Sequence, residues 1–514
     1  MKIIVPMAGP DASFVDEFGK IKPLTEIDGR VMIEHIASMF PQDSNMVFLC
    51  RKQDLQKGLD KALEKTGKKS MTIVPIERPT KDIIDTLSFA DEFVHDDEEI
   101  VIVHADSYQK FDFNDFISYA RNYDGVLTVF SGFNPADPNT ANFGRIGVTG
   151  DRVIGVFEKQ KVQPSQVTAA GCYYFSSWAM FKKYVREMMR KNYSVNGKFF
   201  DSPVYNEMIA DGKKVVPYAV KWFVSFGEPW NVKEYIFWSE YFNYISSYTD
   251  KRKEHDLINL VPSAGRGKRF ADLGYMTPKP LIKVLGKEMI LACADALPKA
   301  GKNIFVILKE QADSYALDKV LKKNIANCEV VVIDQITDGM ARTCLMAEHL
   351  LDKGKQLVIS SCDYSFVYDD EKLQKVIAEE QPDAMIWTFR EYPDARLAPN
   401  AYGYVVVEDG RITKISEKVP VSDQPHKDHI VQGTFWFKNA ELFLWAAKEM
   451  ISKGVTINGE YYVATAINEL IANGKKVVPF ELEKYICWGT PLDLWTFEFW
   501  ENYFSQLDSH PYKK

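Results

Sequence analysis

The chain has 514 residues, enough for roughly two to four domains that can each bury a sizeable core. Apolar residues make up 46% and charged residues 26%, which is ordinary for a soluble globular protein. The formal net charge is −8, and no long block of consecutive lysines or arginines stands out. This pattern argues against a nucleic-acid partner but permits a small anionic substrate, because a few local cations outweigh a weak overall field.

Cysteine usage and the first residues predict a cytoplasmic protein. The seven cysteines are scattered and form no C-x-x-C pair, which argues against a zinc site or a disulfide framework and fits reduced thiols. The apolar run at residues 1–6 is too short for a signal peptide and predicts a buried strand. No stretch reaches the ~18 apolar residues of a membrane span, so no membrane partner is expected.

The chain repeats itself with a period of about half its length. Five segments match in order: 5–9 with 261–265, 22–24 with 279–281, 158–159 with 417–418, 196–197 with 458–459, and 210–217 with 472–479. The offset between the copies changes by only a few residues, so few insertions separate them. A charged run at 249–256 predicts a solvated linker or helix end, which divides the chain into domains 1–250 and 251–514.

Short apolar runs alternate with helical patterns along each copy. In the second copy, strands are predicted at 258–261, 304–308, 330–333, 357–359 and 384–388, with a helix at 371–378. The aromatic stretches 234–238 and 496–500, which end the two copies, predict packed helices rather than base-stacking platforms. The pattern predicts an α/β protein of two tandem Rossmann-like domains, each a mainly parallel, mixed sheet with helices on both faces. Such sheets bind ligands at the carboxyl ends of their strands.

A glycine-rich turn follows the first strand of the second copy. It reads AGRGKRF over residues 264–270, and TPKPL follows at 277–281. Glycines let backbone N–H groups approach phosphate oxygens, while Arg269 adds a planar fork of donors and Lys279 a compact positive charge. Phe270 stands where a dinucleotide-binding loop has its third glycine, and no G-K-[ST] of a Walker loop follows. Two glycines alone would fit a plain turn, but G-x-G-x-R followed by P-K-P-L is a specific combination.

This segment resembles the signature of the sugar-phosphate nucleotidyltransferase family. The resemblance covers both copies nearly end to end, with the motifs complete only in the second. Family members join a nucleoside triphosphate to a sugar phosphate and release pyrophosphate, with Mg²⁺ bridging the phosphates. The resemblance implies the same activity, cofactor and partners here, and a place in the supply of nucleotide sugars for polysaccharide biosynthesis.

The resemblance also implies roles for residues of the second copy. The expected catalytic cations are Arg269, Lys279 and Lys418, and the expected metal ligand is Asp363. The expected nucleotide-binding residues are Ala264, Gly265, Gly267, Gln335 and Gly339. The expected sugar-phosphate-binding residues are Gly403, Glu417 and Gly433. Cys487 stands where the family usually has a second metal-binding Asp. We interpret it as a structural cysteine; either one carboxylate suffices, or Glu460 or Asp493 substitutes, or the metal geometry differs.

The first copy keeps Lys22, Asp106, Glu158 and Lys159 as counterparts but loses groups on the nucleotide side. Asp11 stands at the second glycine of the loop, Ser13 replaces the arginine, and Asp82 stands in place of Gly339. A carboxylate there repels phosphates, so no nucleotidyl transfer by this copy is expected. Two interpretations stay open: the retained residues only maintain the fold, or this copy binds a sugar phosphate or product and regulates or scaffolds the second.

Three other functions stay open. A cytidylyltransferase for phosphocholine or a phosphonate would keep the fold and change the acceptor. A GT-A-like glycosyltransferase is disfavoured because the D-x-D signature is missing after Asp363 and Asp106. A non-catalytic nucleotide-binding protein would bind nucleotide without releasing pyrophosphate. The sequence leaves open the base, the acceptor and the oligomeric state.

Overall fold

The computed structural model describes residues 1–138, 143–159, 167–396 and 398–514, and the chain forms two compact units. The first unit comprises Met1–Asn243 together with Phe499–Lys514, and the second comprises Tyr244–Glu498. The repeat places the division nearby, at 250/251, but assigns the C-terminal residues to the second domain. Their place in the first unit has a physical cause, because the Trp500 indole N–H donates to Glu234 at 3.0 Å and the Phe504 ring packs 5.3 Å from that of Tyr235.

The strands of the first unit are β1 (Lys2–Pro6), β2 (Glu26–Ile27), β3 (Arg30–Val31), β4 (Asn45–Arg51), β5 (Ser70–Ile76), β6 (Ile100–Val103), β7 (Ser107–Lys110), β8 (Gly125–Phe130), β9 (Arg145–Thr149), β10 (Arg152–Phe157), β11 (Val167–Phe175), β12 (Val215–Ala219) and β13 (Trp222–Ser225). Its helices are α1 (Ala12–Phe18), α2 (Met32–Ser38), α3 (Lys52–Asp54), α4 (Asp60–Lys65), α5 (Ile83–Leu87), α6 (Phe113–Ala120), α7 (Trp178–Arg190), α8 (Val204–Ala210) and α9 (Pro229–Ser247), the last of which runs into the second unit.

The strands of the second unit are β14 (Glu254–Pro262), β15 (Lys283–Val284), β16 (Lys287–Glu288), β17 (Lys299–Leu308), β18 (Cys328–Ile333), β19 (Gln356–Ile359), β20 (Tyr364–Val367), β21 (Ala384–Phe389), β22 (Gly403–Glu408), β23 (Arg411–Glu417), β24 (His429–Phe437), β25 (Val477–Glu481) and β26 (Lys484–Cys487). Its helices are α10 (Lys268–Ala271), α11 (Met289–Ala296), α12 (Lys309–Tyr315), α13 (Leu317–Asn324), α14 (Met340–Leu345), α15 (Asp370–Glu380), α16 (Ala440–Ser452), α17 (Val463–Ala472) and α18 (Pro491–Ser505), which runs into the first unit.

Each unit is built around a mixed sheet that has nine strands among the described residues. In the second unit the order is β18-β17-β14-β19-β24-β21-β25, with β22 and β23 attached through β24. Strands β18, β17, β14 and β19 pair in parallel, whereas β24 runs antiparallel to β19. The first unit repeats this order with its own strands, β5-β4-β1-β6-β11. The predicted fold class is confirmed, as are the five predicted strands and the predicted helix of the second copy.

Apolar side chains fill both faces of each sheet, as expected for strands covered by helices. In the second unit β14, β17 and β19 contribute fully buried residues such as Leu260, Val306 and Leu357. The aromatic stretches predicted as helices lie in α9 and α18, and their tryptophans Trp238 and Trp500 are buried. In the part of the chain that is described, no helix is long and apolar enough to cross a bilayer.

Candidate active site

Two parallel strands of the second unit bring the predicted phosphate loop and the predicted metal ligand to one edge of the sheet. β14 ends at Pro262 and continues into the loop 263–267, while β19 ends at Ile359, a few residues before Asp363. Because these strands pair in parallel, both segments leave the sheet at the carboxyl edge. This is the edge where open α/β sheets bind ligands.

The loop 263–267 is open at one glycine and closely packed at the other. A Cβ added to Gly265 would meet nothing within 4 Å, whereas one added to Gly267 would lie 2.8 Å from the Cβ of Lys279. Gly267 has a φ of 60°, which L side chains rarely adopt. Ala264 is buried in the core beneath the loop. The loop therefore needs glycine at 267 to bring Lys279 against it, and it leaves space at Gly265.

Lys279 and Asp363 form an ion pair beside this loop. The Lys279 ammonium donates to Asp363 Oδ2 at 2.5 Å and to the carbonyl oxygen of Gly489 at 2.8 Å. Burial acts to lower the pKa of Lys279, but the Asp363 carboxylate outweighs it and holds that pKa above its ordinary value. Lys279 is therefore a fixed positive charge at the carboxyl edge of the sheet.

The Asp363 carboxylate offers the type of oxygen ligand that Mg²⁺ prefers. Burial acts to raise its pKa, but Lys279 and the Ser361 hydroxyl, which donates to Oδ1 at 2.6 Å, outweigh burial and lower the pKa. Among the described residues, no three His, Cys, Asp or Glu side chains are arranged to hold a metal ion. A Mg²⁺ ion held by Asp363 would therefore complete its shell with phosphate oxygens and water, which is how proteins often bind this ion.

Cys487 is a hydrogen-bonded thiol. Its Sγ donates to Asp493 Oδ2 at 3.3 Å, and burial raises its pKa well above the ordinary value, so the thiol stays protonated. The same Asp493 oxygen accepts the backbone N–H of Thr490 at 2.7 Å. A Cβ on Gly489 would lie within 4 Å of Cys487, Asp363 and Asp493. Both carboxylates therefore lie beside Gly489. A protonated thiol suits the structural interpretation, and substitution by Asp493 stays a prediction.

Arg269 lies close enough to Tyr462 for its charge to act on the tyrosine hydroxyl. Arg269 is exposed in the short helix α10. Burial raises the pKa of the Tyr462 hydroxyl, a hydrogen bond with Glu460 and the charge of Glu417 raise it further, and the Arg269 guanidinium acts to lower it. Tyr462 therefore lies near both the predicted phosphate arginine and the predicted sugar-side glutamate. Glu460 is exposed and interacts with Tyr462.

Sequence reasoning missed Tyr462. The signal was available in the repeat, because Tyr462 aligns with Phe200 of the first copy, so only the second copy carries a hydroxyl there. A tyrosine hydroxyl both donates and accepts a hydrogen bond, which suits a position between two ligand-binding groups.

The predicted sugar-side residues lie together on β22 and β23. A Cβ on Gly403 would lie 2.8 Å from Glu417 Oε2, so the carboxylate packs against the glycine backbone. Burial raises the pKa of Glu417, and Lys418 acts to lower it. Lys418 has a φ of 62° and donates to the carbonyl oxygen of Ala401 at 2.7 Å. An ammonium has three N–H donors, so this contact leaves donors for a phosphate.

Gly433, a predicted sugar-phosphate-binding residue, packs against the segment that carries the predicted metal ligand. It lies in β24 with a φ of 103°, and an added Cβ would lie 3.0 Å from the Tyr364 hydroxyl oxygen. Tyr364 directly follows Asp363, and its hydroxyl accepts the backbone N–H of Ser361 at 2.8 Å. A side chain at 433 would therefore displace the segment that carries the predicted metal ligand.

Two residues predicted to bind the nucleotide, Gln335 and Gly339, have different surroundings. Gln335 is exposed in the segment after β18. A Cβ on Gly339 would lie 2.4 Å from the backbone nitrogen of Tyr461, and that nitrogen donates to the Asp338 carbonyl at 2.9 Å. The close approach at Gly339 is thus made by the chain's own backbone. A contact of either residue with the base or ribose stays a prediction.

The first unit reproduces the ion pair and the sugar side. The Lys22 ammonium pairs with Asp106 and donates to the Gly227 carbonyl at 2.8 Å, as Lys279 does with its partners. A Cβ on Gly144 would lie 2.6 Å from Glu158 Oε2, which matches the packing of Gly403 on Glu417. Lys159 lies 5.0 Å above the centre of the Phe200 ring. The retained ion pair and the glycine–glutamate packing thus have the same geometry in both units.

The nucleotide side of the first unit is filled by its own side chains. Asp11 is buried and pairs with Arg51, which also binds Asp54 through Nε–Oδ2 at 2.6 Å and Nη2–Oδ1 at 3.1 Å. We refer to Asp11, Arg51 and Asp54 as the ion cluster. Sequence reasoning identified Asp11 but missed its partners. Arg51 stands at the position of Leu308 in the second unit, and this difference at the end of an apolar strand was the available signal.

Asp82 is likewise used within the first unit. Its Oδ1 accepts the backbone N–H of Asp85 at 2.9 Å and caps α5, and its Oδ2 accepts the backbone N–H of Phe199 at 3.1 Å. The carboxylate therefore stabilises a helix end and a neighbouring turn.

Comparison with known proteins finds several relatives of parts of this chain. A segment of 221 residues, 42% of this chain, is 27% identical to the bifunctional protein GlmU of Clostridium beijerinckii and covers 46% of that protein. A segment of 224 residues, also 42% of this chain, is 24% identical to the UTP–glucose-1-phosphate uridylyltransferase AglF of Haloferax volcanii and covers 85% of it. This chain therefore matches about half the length of its GlmU relatives.

Among solved structures, the nucleoside-diphosphate-sugar pyrophosphorylase from Vibrio cholerae RC9 is similar over 46% of this chain and 98% of that chain, with 20% identity and a TM-score of 0.38. The family model described as nucleotidyl transferase matches residues 19–220 and again residues 258–501. The two matched regions correspond to the two copies of the repeat and together span most of the sequence. The chain belongs to the nucleotidyl transferase family.

Proposed function

We propose that the second unit joins a nucleoside triphosphate to a sugar phosphate, releases pyrophosphate and forms a nucleotide sugar. The observation that carries the proposal is the Lys279–Asp363 pair, held at the carboxyl edge of the sheet beside a glycine loop that is open at Gly265. The name of the Haloferax volcanii relative supports a sugar 1-phosphate as the acceptor class.

In the proposed reaction, an oxygen of the sugar phosphate attacks the α-phosphorus of the triphosphate. The new P–O bond forms as the bond from the α-phosphorus to the oxygen bridging the α- and β-phosphates breaks, and pyrophosphate leaves with that oxygen. The attacking phosphate is already anionic at neutral pH, so no general base is required. Catalysis then consists of alignment and neutralisation of charge around the α-phosphorus.

Four groups of the second unit have roles in this proposal. Arg269 and the loop amides hold the leaving pyrophosphate, and Lys279 places its charge beside the α-phosphate. Lys418 anchors the acceptor phosphate with the donors that Ala401 leaves available. Asp363 would hold Mg²⁺, which when bound neutralises phosphate charge as a Lewis acid.

The test measures pyrophosphate release by the full-length protein with CTP, UTP, GTP, ATP or dTTP and a panel of acceptors. The panel contains several sugar 1-phosphates, phosphocholine and a phosphonate. We expect release only when a sugar phosphate accompanies the preferred triphosphate. Release with phosphocholine or the phosphonate alone would establish the cytidylyltransferase alternative. Nucleotide binding without release would indicate a binding protein.

A further inference from the structure

A cavity of about 250 Å³ lies in the first unit beside the hairpin of β2 and β3. It has the volume of about eight water molecules at ~30 Å³ each, so it suits a small molecule rather than a nucleotide. All of its lining residues belong to the first unit, and they come from the hairpin, α2, β7, α9, residue 226 and the C-terminal segment 503–511. None is a counterpart of a residue predicted to bind nucleotide, metal or sugar phosphate, so the cavity is a separate candidate site.

The hairpin turn places two opposite charges in the lining of this cavity. Asp28 has a φ of 48° and Gly29 a φ of 75°, as a two-residue hairpin turn requires, and Arg30 follows directly. Both charged side chains are exposed, and neither forms an ion pair with another described residue. Asp28 accepts the Ser239 hydroxyl at 2.8 Å, and Arg30 donates to the Glu34 carbonyl oxygen at 2.8 Å. Each charge therefore remains available to a ligand.

The two histidines of the lining are neutral and add no charge. Burial lowers the pKa of both imidazoles below the ordinary value. His35 Nε2 donates to the Ile27 carbonyl oxygen at 2.8 Å, and His510 Nε2 donates to that of Ser239 at 3.1 Å. The Nδ1 of each ring is then an acceptor. The Tyr512 N–H occupies it in His510 at 3.2 Å, whereas in the described part of the chain that of His35 has no partner.

Aromatic rings form the inner wall of the cavity. Phe226, Tyr235 and Tyr503 are buried, and the Tyr235 ring lies 5.5 Å from that of Phe226 and 6.0 Å from that of Tyr503. The Tyr235 hydroxyl is engaged by hydrogen bonds with Asp28 and Tyr503. The Tyr108 ring lies 6.4 Å from that of Phe226, and its hydroxyl has no hydrogen-bond partner among the described residues. The wall therefore offers ring surface to an apolar group and one free hydroxyl.

The polar groups of this lining are specific to the first unit. Four of them are replaced in the second unit: Asp28 by Leu285, His35 by Ala292, Tyr108 by Ser365 and Tyr235 by Phe497. Because the second unit has the same fold without these groups, the shared fold does not require them. Their convergence on one cavity supports a binding role.

The charges of the lining select a ligand that carries both signs. Arg30 would repel a ligand that is only a cation, and Asp28 would repel one that is only an anion, whereas a zwitterion satisfies both. A guanidinium binds a carboxylate through two parallel hydrogen bonds. A phosphate dianion would bring an excess negative charge to a lining whose net charge is zero. A carboxylate is therefore the better anionic group.

We propose that this cavity binds a free α-amino acid with an apolar side chain, whose ammonium donates to Asp28, whose carboxylate accepts from Arg30 and whose side chain packs on the aromatic wall. The free acceptor of His35 and the Tyr108 hydroxyl lie in the same lining for the remaining ammonium and carboxylate contacts. The inference goes beyond the proposed transfer reaction and does not depend on it.

The test measures binding of L-leucine, L-methionine and L-phenylalanine to the full chain by isothermal titration calorimetry and saturation-transfer NMR. We expect at least one of them to bind with a Kd below about 1 mM. Removing either charge from that ligand, as isoamylamine and isocaproate do for leucine, should weaken binding roughly tenfold or more, the range for a lost hydrogen bond to a charged group. Phosphoethanolamine, a zwitterion with excess negative charge, should also bind more weakly.

Substitutions in the hairpin test the two charges in the protein. Asp28→Asn and Arg30→Gln should each weaken binding roughly tenfold or more. Asparagine tolerates the positive φ of the turn, so the hairpin is retained. Glu26→Gln, which removes an exposed carboxylate of the same hairpin outside the lining, and Lys287→Gln, at the counterpart of Arg30, are the controls and should leave binding unchanged.

Four results would overturn the proposal: no amino acid of the panel binds, a singly charged analogue binds as tightly as its parent, phosphoethanolamine binds more tightly, or Arg30→Gln leaves binding unchanged. If Asp28→Asn unfolds the first unit, the exposed Arg30 still decides the outcome. Pyrophosphate release by the unmodified chain is measured separately, so this proposal and the proposed function fail independently.

Discussion

The two units differ most in the loop that follows their first strand. In the second unit, Gly267 lets the loop pack on Lys279 and Gly265 is open. In the first unit, Asp11 stands at the position of Gly267 and is bound by Arg51. A buried carboxylate is tolerated there because the guanidinium neutralises it, but the pair offers no positive field to a triphosphate. One backbone turn thus suits anion binding in one copy and is closed by an internal ion pair in the other.

The sugar sides of the two units, in contrast, are alike. Gly144 packs on Glu158 as Gly403 packs on Glu417, and in each unit a lysine pairs with the aspartate after the central strand. The losses in the first unit are therefore confined to one side of the site. Under the proposed function, nucleotide chemistry and recognition of the acceptor would rest on separate groups of residues, which substitution can test one at a time.

The largest effect is expected for the cations beside the open loop. Arg269→Ala and Lys279→Ala should each lower turnover by about 10²-fold or more, the scale seen when one preorganised donor is removed. Initial rates of pyrophosphate release measure this. Lys20→Ala is the control, because it removes an exposed lysine of the first unit whose only ion pair among the described residues is with Glu26. Normal turnover in both folded variants would remove the basis for assigning catalysis to this loop.

Breaking the ion cluster of the first unit should destabilise its loop more than breaking the corresponding Gln311 hydrogen bond destabilises the loop of the second unit. Asp54 is fully buried and binds Arg51, whereas the corresponding residue of the second unit, Gln311, accepts the Leu308 N–H at 2.9 Å. Asp54→Ala should lower the local opening free energy by about 2 kcal/mol, roughly a 30-fold change, because it leaves a partly buried guanidinium short of a partner.

Gln311→Ala should cost about 1 kcal/mol, as for a neutral hydrogen bond. Hydrogen exchange of the β4 and β17 peptides reports each unit separately. An equal or smaller loss in the first unit would contradict the prediction that the ion cluster stabilises its loop more than the Gln311 hydrogen bond does.

A smaller effect is expected at the carboxylate assigned to Mg²⁺. Asp363→Asn removes the charge that the ion would bind, so half-maximal activity should need about tenfold more Mg²⁺. The measurement is a Mg²⁺ titration of pyrophosphate release, with Asp423→Asn as a control that removes an exposed carboxylate of the same unit. An unchanged Mg²⁺ requirement in the Asp363 variant would exclude this residue as the metal ligand.

The repeat and the hydrophobic pattern were sufficient to predict the fold. Apolar runs such as 304–308 and 357–359 are strands because burial on both faces requires continuous apolar residues. The close packing of Gly267 on Lys279 was not predicted, although both residues belong to one motif and are near in sequence.

Contacts between distant segments could not be predicted in this way. Arg51 lies forty residues from Asp11 and has no charged counterpart in the other copy, so no pattern connected the two. A glycine at 339 would allow a ligand to approach the backbone closely, but in the structure it is the backbone of Tyr461 that packs against it. The residues from Phe499 onward continue the second copy in sequence yet belong to the first unit, because aromatic packing is specified by three-dimensional contacts rather than by the repeat.

The smallest effect is expected at Cys487, where the second unit departs from the family pattern. Its thiol is protonated and donates to Asp493, and a serine hydroxyl can make the same hydrogen bond. Cys487→Ser should therefore change turnover by less than about twofold and leave the Mg²⁺ requirement unaltered, since a protonated thiol is a poor ligand for this hard cation.

The variant to compare with it is Asp493→Asn, which keeps the side-chain shape but removes the carboxylate that accepts from this thiol. If Asp493→Asn raises the Mg²⁺ requirement as much as Asp363→Asn does, Asp493 supplies the second metal carboxylate; if only the Asp363 variant responds, one protein carboxylate suffices. A tenfold loss in Cys487→Ser would contradict both outcomes and require a direct role for the sulfur.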